Sequence, residues 1–321
     1  MADPRPARGA RSDDLLELLQ QVRKALLARD ESPAGDWVER TAEDLRSGRT
    51  PGWFYPPDAG AGLSFFSTSG REAYGHVHVA EGPEGVERGV RLAAVLFEGL
   101  PSAAASVNVG FTALSPAHEG ELLCRLAARP GSTVIGRLAM ERALTAEDGR
   151  PPGPVPEGLS HVPIRALTLD ALADLDFRSV QGTTDALLIG DRVEEYRRVM
   201  ASVLDGSLGR FLDEASTALY RPDPPRLVGV ILSAERSPRK GLFVNFMVDP
   251  EFRRRGYGTY LFRWGLRALW ALGYERVHLW VTEANVPARG LYRQFRLEPT
   301  VRSTIYRLNR GSDPSQPHSA R

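Results

Sequence analysis

Leu15, Leu18, Leu19, Val22 and Leu26 recur at the three- and four-residue spacing of one helix face, and Ser12-Asp13-Asp14 ahead of them offers a cap and acids at the positive helix end. A second short helix is predicted over 36–46, then a loop through Pro51, Pro56 and Pro57. Shorter apolar runs follow: strands over 63–67 and 74–79, a helix over 88–98, a strand over 106–112, a helix over 119–128 and a strand over 132–141. Gly149-Arg150-Pro151-Pro152-Gly153-Pro154-Val155-Pro156-Glu157-Gly158 then forbids helix and central strand alike and reads as a linker. Beyond it the pattern predicts a strand over 161–167, helices from 170 and over 191–204, a hairpin of 217–220 with 227–232, and a strand over 242–248. A helix over 258–272 follows, carrying Leu261, Trp264, Ala268 and Leu272 on one face and Gly273 as its C-cap, then a strand at 277–281, a helix at 287–295 and a strand at 303–308. Residues 1–11 and the polar tail 311–321 are expected to be disordered.

This alternation predicts an α/β protein with a mixed sheet. Its expected divisions are N-terminal helices at 1–50, a domain at 51–148, the linker at 149–158, a second domain at 159–310 and the tail at 311–321. A length of 321 residues fits two domains, each able to bury a core without a metal or disulfide staple.

Lys+Arg 41 against Asp+Glu 40 leaves a formal charge of +1, without the basic excess that nucleic-acid binding needs. Lys24 and Lys240 are the only lysines, so the arginine bias is a chain-wide background. The single cysteine, Cys124, cannot form an internal disulfide and suits a reducing cytoplasm. No apolar run approaches the ~18 residues of a membrane span, and the first residues lack the apolar centre of a signal peptide, so neither membrane insertion nor secretion is expected.

The chemistry concentrates in Val244–Gly258. A strand ends at Val248, Asp249-Pro250 turns the chain, and a helix opens near Gly258; the loop between holds Arg253, Arg254, Arg255, Gly256 and Gly258. Free N–H groups at a helix N-terminus, glycines that admit close approach, and guanidinium donors together suit a phosphate or pyrophosphate. No Gly-Lys-Ser/Thr follows, so this is not a P-loop, and the dinucleotide-binding glycine fingerprint is incomplete.

Arg253, Gly256 and Gly258, preceded by Val248-Asp249-Pro250, resemble motif A (Gln/Arg-x-x-Gly-x-Gly/Ala after Val-x-Pro) of the GCN5-related N-acetyltransferase (GNAT) superfamily. Asn285, Ala288, Leu291 and Tyr292 resemble its second block. The resemblance covers roughly 160–309. It implies a cytoplasmic transferase that moves an acetyl group from acetyl-CoA to a primary amine. Backbone groups of Phe246, Met247 and Val248 would hold the acyl carbonyl and pantetheine arm, Arg253, Arg254, Arg255, Gly256, Tyr257, Gly258 and Thr259 the pyrophosphate, and Asn285 the cofactor arm.

Tyr292 would face the thioester sulfur. Full proton transfer from a phenol of pKa ~10 to a thiolate of pKa ~8.5 is uphill by ~2 kcal/mol, so Tyr292 is expected to act by hydrogen bonding to developing charge unless its pKa is lowered. Asn245 would orient water or substrate. Trp280 stands where some relatives place Glu, which leaves no base assigned. The turn after Tyr292 reads Phe295-Arg296-Leu297 where the family has Gly before an aromatic, so Arg296 is expected at positive φ at ~1 kcal/mol. Gln181-Gly182-Thr183-Thr184-Asp185, in the region where this fold builds acceptor clefts, is polar without being strongly acidic, which argues against a polycationic acceptor.

The order of elements over 63–141 runs parallel to that of the second half and is identified as a degenerate copy of the same fold. Gly82-Pro83-Glu84-Gly85-Val86-Glu87-Arg88-Gly89 places acids where a pyrophosphate would sit, and Leu122-Leu123 replaces Leu-Tyr. His76 and His78 alternate on a strand without further ligand-type neighbours, so they are expected to face solvent and to hold no metal. The tandem resemblance leaves two other readings: a non-catalytic acyl-CoA-binding module, or a small-molecule acetyltransferase resembling mycothiol synthase.

Overall fold

The computed structural model describes residues 3–28, 36–56, 60–69, 72–80, 82, 84–112 and 115–309. The chain forms two compact units, one of residues 1–136 with 302–321 and one of 137–301.

The first unit runs β1 (Arg5–Pro6), α1 (Ser12–Ala28), α2 (Trp37–Ser47), β2 (Gly52–Tyr55), β3 (Gly62–Ser69), β4 (Glu72–Val79), α3 (Gly85–Glu98), β5 (Ser106–Thr112), α4 (Pro116–Ala127) and the start of β6 (Ser132–Ala143). β1 through β4 pair antiparallel in order, β4 and β5 pair parallel with α3 as the crossover, and residues 305–309 pair antiparallel with β5. Residues 5–6, expected to be disordered, are held by β2, and β2 itself lies where prolines had predicted only loop: Pro51 and Pro56 bracket the strand without entering it. α1 and α2 are not a separate domain. Their apolar faces (Leu15, Leu18, Leu19, Val22, Val38, Leu45) share one core with Phe54 and Leu63. The tail 311–321 lies outside the described residues.

The second unit runs β7 (Ser160–Val162), α5 (Leu169–Val180), α6 (Ala186–Ile189), α7 (Val193–Leu204), β8 (Arg210–Phe211), β9 (Thr217–Pro222), β10 (Pro225–Ser237), β11 (Lys240–Val248), α8 (Tyr257–Ala271), β12 (Arg276–Thr282), α9 (Val286–Gln294) and the start of β13 (Glu298–Asn309). The strand expected over 161–167 is only three residues long, because Pro163 ends it and a 3-10 turn takes over at Ile164–Ala166. β7, β9, β10 and β11 pair antiparallel, β11 and β12 parallel with α8 between, and residues 137–143 pair antiparallel with β12. α8 lies close on the sheet because Gly265 has no side chain; a Cβ there would stand 2.6 Å from Ile231 Cδ1 and 3.0 Å from the Phe243 ring.

The two units thus repeat one order of strands and helices, and in each the last strand is taken from the other half of the sequence. That exchange separates the compact units from the expected seam. Residues 149–158 are irregular, as their prolines dictate, yet 137–143 ahead of them belong with β12 and 302–309 belong with β5. The cue is absent from local sequence, since a strand's hydrophobic pattern does not say which strand it pairs with.

α9 ends as the resemblance implied. Arg296 stands at φ 61, the Leu297 N–H donates to the Tyr292 carbonyl and the Arg296 N–H to the Arg293 carbonyl, and Leu297 is buried. This closure favours glycine at the left-handed position. Arg296→Gly is therefore expected to raise stability by about 1 kcal/mol without changing ligand binding, measured by denaturant unfolding.

Candidate functional site

β11 and β12 part midway. Their parallel ladder runs from Lys240 opposite Arg276 only to Phe243 opposite Leu279, although β11 continues to Val248 and β12 to Thr282. The cause lies in β11. Leu232 of β10 faces Asn245 and the next residue, Ser233, faces Phe243, so Val244 is an extra residue, a bulge that turns the strand. Phe246, Met247 and Val248 remain paired with Ile231, Val230 and Gly229 of β10. Among the described residues nothing pairs with their other edge, which leaves N–H and C=O groups for an extended amide-bearing ligand.

Past Val248 the loop is braced. Asp249, buried, accepts the Glu251 N–H at 3.1 Å, the Arg178 guanidinium at 3.1 Å and Arg226 at 3.0 Å. Burial opposes its charge, but these donors outweigh it and hold its pKa below the usual range. The three loop arginines separate in role. Arg253 is tied back to the protein at the surface, bonding the Val248 carbonyl at 3.3 Å and the Ser179 carbonyl, and Arg255 bonds the Glu251 carbonyl at 3.2 Å. Arg254 stands at φ 62 and, among the described residues, its side chain has no hydrogen bond or ion pair.

Gly256 caps α8 at φ 83, and the first intrahelical bond there runs from Tyr260 N–H to Gly256 carbonyl. The N–H groups of Tyr257, Gly258 and Thr259 therefore point out of the helix start. A Cβ at Gly258 would meet only ordinary contacts, the Phe246 ring at 3.5 Å being nearest, and one at Gly256 would meet open space. The protein's own packing does not demand glycine at 258.

Tyr292 is buried against Phe246 and Phe262. Burial raises its pKa, the nearby Asp185 raises it further and Arg137 opposes. The phenol stays protonated at neutral pH and is a hydrogen-bond donor. Asn285 caps α9 by accepting the Ala288 N–H at 3.2 Å and donates to Asp185 at 2.8 Å, so one amide N–H is left over. Asp185 also accepts the Thr282 hydroxyl.

Asn245 brings in a residue that sequence reasoning missed. Its Nδ2 donates to Asp176 at 3.1 Å, and Asp176 is buried on α5. Desolvation, aided by the charge of Asp185, lifts its pKa to about 6 against the Asn245 hydrogen bond. The available signal was a carboxylate on the apolar face formed by Leu172, Ala173 and Leu175. Sequence reasoning places Asp185 only within the polar 181–185 stretch of the acceptor region, and Arg137 was missed because it lies in the other half of the sequence.

Asp176→Asn is expected to stabilise the fold at neutral pH. A folded-state pKa near 6 against 3.8 unfolded means the native state binds more protons between those values, so stability falls as pH rises through that window, by about 3 kcal/mol for this group. Unfolding curves at pH 4 and pH 7.5 check this: the variant should lose that fall.

The first unit lacks the opening. Its β4–β5 ladder is unbroken from Glu72 opposite Ser106 to His78 opposite Thr112, and the β3–β4 register has no bulge. Thr112 Oγ1 lies 2.9 Å from both His76 Nε2 and His78 Nδ1, which ties the two strand ends together. The solvent-facing position expected for these histidines holds only in part: His78 is buried, and burial lowers its pKa to about 4. Among the described residues no cluster of three or more His, Cys, Asp or Glu has metal-binding geometry. Nor is any described helix long and apolar enough to cross a membrane.

A parallel pair splayed by a bulge, with a helix start at its open end, on an otherwise antiparallel sheet, gives the second unit the acyl-CoA N-acyltransferase-like fold, and the first unit repeats the order of elements without the opening. Residues 185–296 match the acetyltransferase (GNAT) family and form a domain of it. A GCN5-related N-acetyltransferase from Sphaerobacter thermophilus has the same fold over 94% of both chains, at 18% identity and a TM-score of 0.60. A tandem GNAT protein from the clavulanic acid biosynthesis pathway matches over 96% of this chain and 97% of its own, at 14% identity and a TM-score of 0.55. No curated protein matches the sequence.

Proposed function

We propose that the second unit is an N-acyltransferase that moves an acetyl group from acetyl-CoA to a primary amine. The observation that carries this is the break in the β11–β12 ladder after Phe243, which exposes backbone edge at Phe246–Val248 beside the α8 N-terminus. Phe246, Met247 and Val248 would hold the pantetheine amides and acyl carbonyl. The N–H groups of Tyr257, Gly258 and Thr259, with Gly256 and the free side chain of Arg254, would hold the pyrophosphate. Arg253 and Arg255 keep the loop in shape, and the remaining N–H of Asn285 would reach the cofactor arm.

The bound thioester supplies the activated acyl carbon. The amine nitrogen bonds to it, the C–S bond breaks, and the nitrogen gives up a proton. Asp176, held by Asn245, is the base this geometry offers, directly or through one water, because near neutral pH it is ionised yet close to its pKa. Tyr292 donates a hydrogen bond to the departing sulfur. Turnover should rise with pH through about 6 as Asp176 ionises. Such an enzyme suits the cytoplasm, where exposed Cys124 stays reduced.

Calorimetry with acetyl-CoA and a thiol-release assay over an amine panel test this reading. Tight binding with hydrolysis alone would favour the acyl-CoA-binding module; no binding would end both. The tandem architecture also fits a small-molecule enzyme similar to mycothiol synthase, which a thiol-containing amino sugar in the panel would reveal.

A further inference from the structure

Arg137 enters the second unit on β6, opposite Thr282 at the last rung of its ladder with β12. That rung lies three residues past the point where β12 leaves β11, so Arg137 sits at the open end of the cleft. Asp185, which accepts the Thr282 hydroxyl, acts through space on both Arg137 and Tyr292. Arg137, Asp185 and Tyr292 therefore surround one region, where the acyl group and the acceptor would meet.

The guanidinium there lacks a hydrogen-bonded partner. Its Nε is sealed from solvent with no hydrogen bond, and among the described residues the side chain makes no hydrogen bond or ion pair. Asp185 attracts it through space but forms no hydrogen bond or ion pair with it, its oxygens serving Thr282 and Asn285. A guanidinium does not escape by losing its proton at physiological pH, and one whose Nε is sealed and unbonded pays a desolvation cost that attraction to Asp185 through space offsets only in part. Its planar fork matches a carboxylate in bidentate fashion.

We propose that Arg137 is a substrate-carboxylate clamp: the substrate of the second unit carries a carboxylate next to the reacting centre, and that group completes the ion pair. The proposal rests on the acyl-transfer reading and narrows its substrate class. The carboxylate belongs either to an amino-acid-like acceptor or to the acyl chain of a dicarboxylic thioester.

Full-length protein, Arg137→Gln and Arg137→Lys are compared in thiol release. One arm uses acetyl-CoA with glycine or glycinamide; the other uses succinyl-CoA or acetyl-CoA with ethylamine. In one arm wild type should favour the carboxylate-bearing substrate at least 30-fold in kcat/KM, chiefly through KM. Arg137→Gln should erase that preference, and Arg137→Lys should restore part of it. The arm that responds identifies the source. Equal rates for charged and neutral substrates in wild type, or a preference that survives in Arg137→Gln, overturn the proposal.

Arg137→Gln should melt at or above wild type; a lower Tm with weakened acetyl-CoA binding marks a structural residue and also overturns it. If no pair releases thiol, the acyl-transfer reading fails, and the clamp is judged by thermal shift alone: glycine or succinate, but not their amides, must stabilise wild type and not Arg137→Gln. Absence of that difference ends the proposal.

Discussion

Gly256→Glu is expected to weaken acetyl-CoA binding by about 100-fold or more while the protein stays folded. Two effects add. The residue stands at φ 83, where a side chain costs roughly 1 kcal/mol. The new carboxylate also enters open space beside the N–H groups of Tyr257–Thr259, where its repulsion of a phosphate at ~4 Å is about 1–4 kcal/mol, depending on how far water screens the pair. Gly256→Ala keeps the first effect without the second and should lose less than about tenfold. Calorimetry on both variants, with circular dichroism as the fold control, separates charge from backbone strain. Unchanged affinity in Gly256→Glu would remove this helix start from the site.

Tyr292→Phe is expected to slow turnover by about 100- to 1,000-fold, the loss typical of one preorganised donor to developing charge, with acetyl-CoA affinity within about threefold of wild type. The site assigns the role of the phenol. Burial and Asp185 keep it protonated, so complete transfer to the sulfur is more uphill than for an ordinary tyrosine, and hydrogen bonding is what remains. The ring's contacts with Phe246 and Phe262 survive in phenylalanine, so the fold should be preserved. Single-turnover thiol release against binding affinity gives the measurement. Full activity would take Tyr292 out of the mechanism.

The elements that carry the phosphate loop were legible because their signals are local. The strand to Val248, the turn at Asp249-Pro250, the arginine-glycine loop and the helix after it are each encoded by neighbouring residues, and so is the positive φ of Arg296. The roles within the loop were not. Arg253, Arg254 and Arg255 are alike in sequence, and only the Val248 and Ser179 carbonyls, which hold Arg253, and the Glu251 carbonyl, which takes Arg255, distinguish them from Arg254. Asn245 was marked from its strand position, but its partner Asp176 lies 69 residues away. β2 was hidden by the prolines that flank it.

By itself the sequence determined the alternation of strands and helices, the repeat of one order of elements in both halves, and the acids that replace the arginine loop in the first. Those follow from periodicity, turn residues and charge, which act over a few neighbours. The tertiary structure alone decided that 137–143 complete the second unit and 302–309 the first, because strand pairing is a long-range choice among similar apolar partners. It decided that the β11–β12 ladder opens while the β4–β5 ladder stays closed, because one extra residue at Val244 shifts a register that only the neighbouring strand defines. And it brought Arg137 to Asp185 and Tyr292, where an ordinary arginine in an arginine-rich chain stands with its Nε sealed and unbonded at the open end of the cleft.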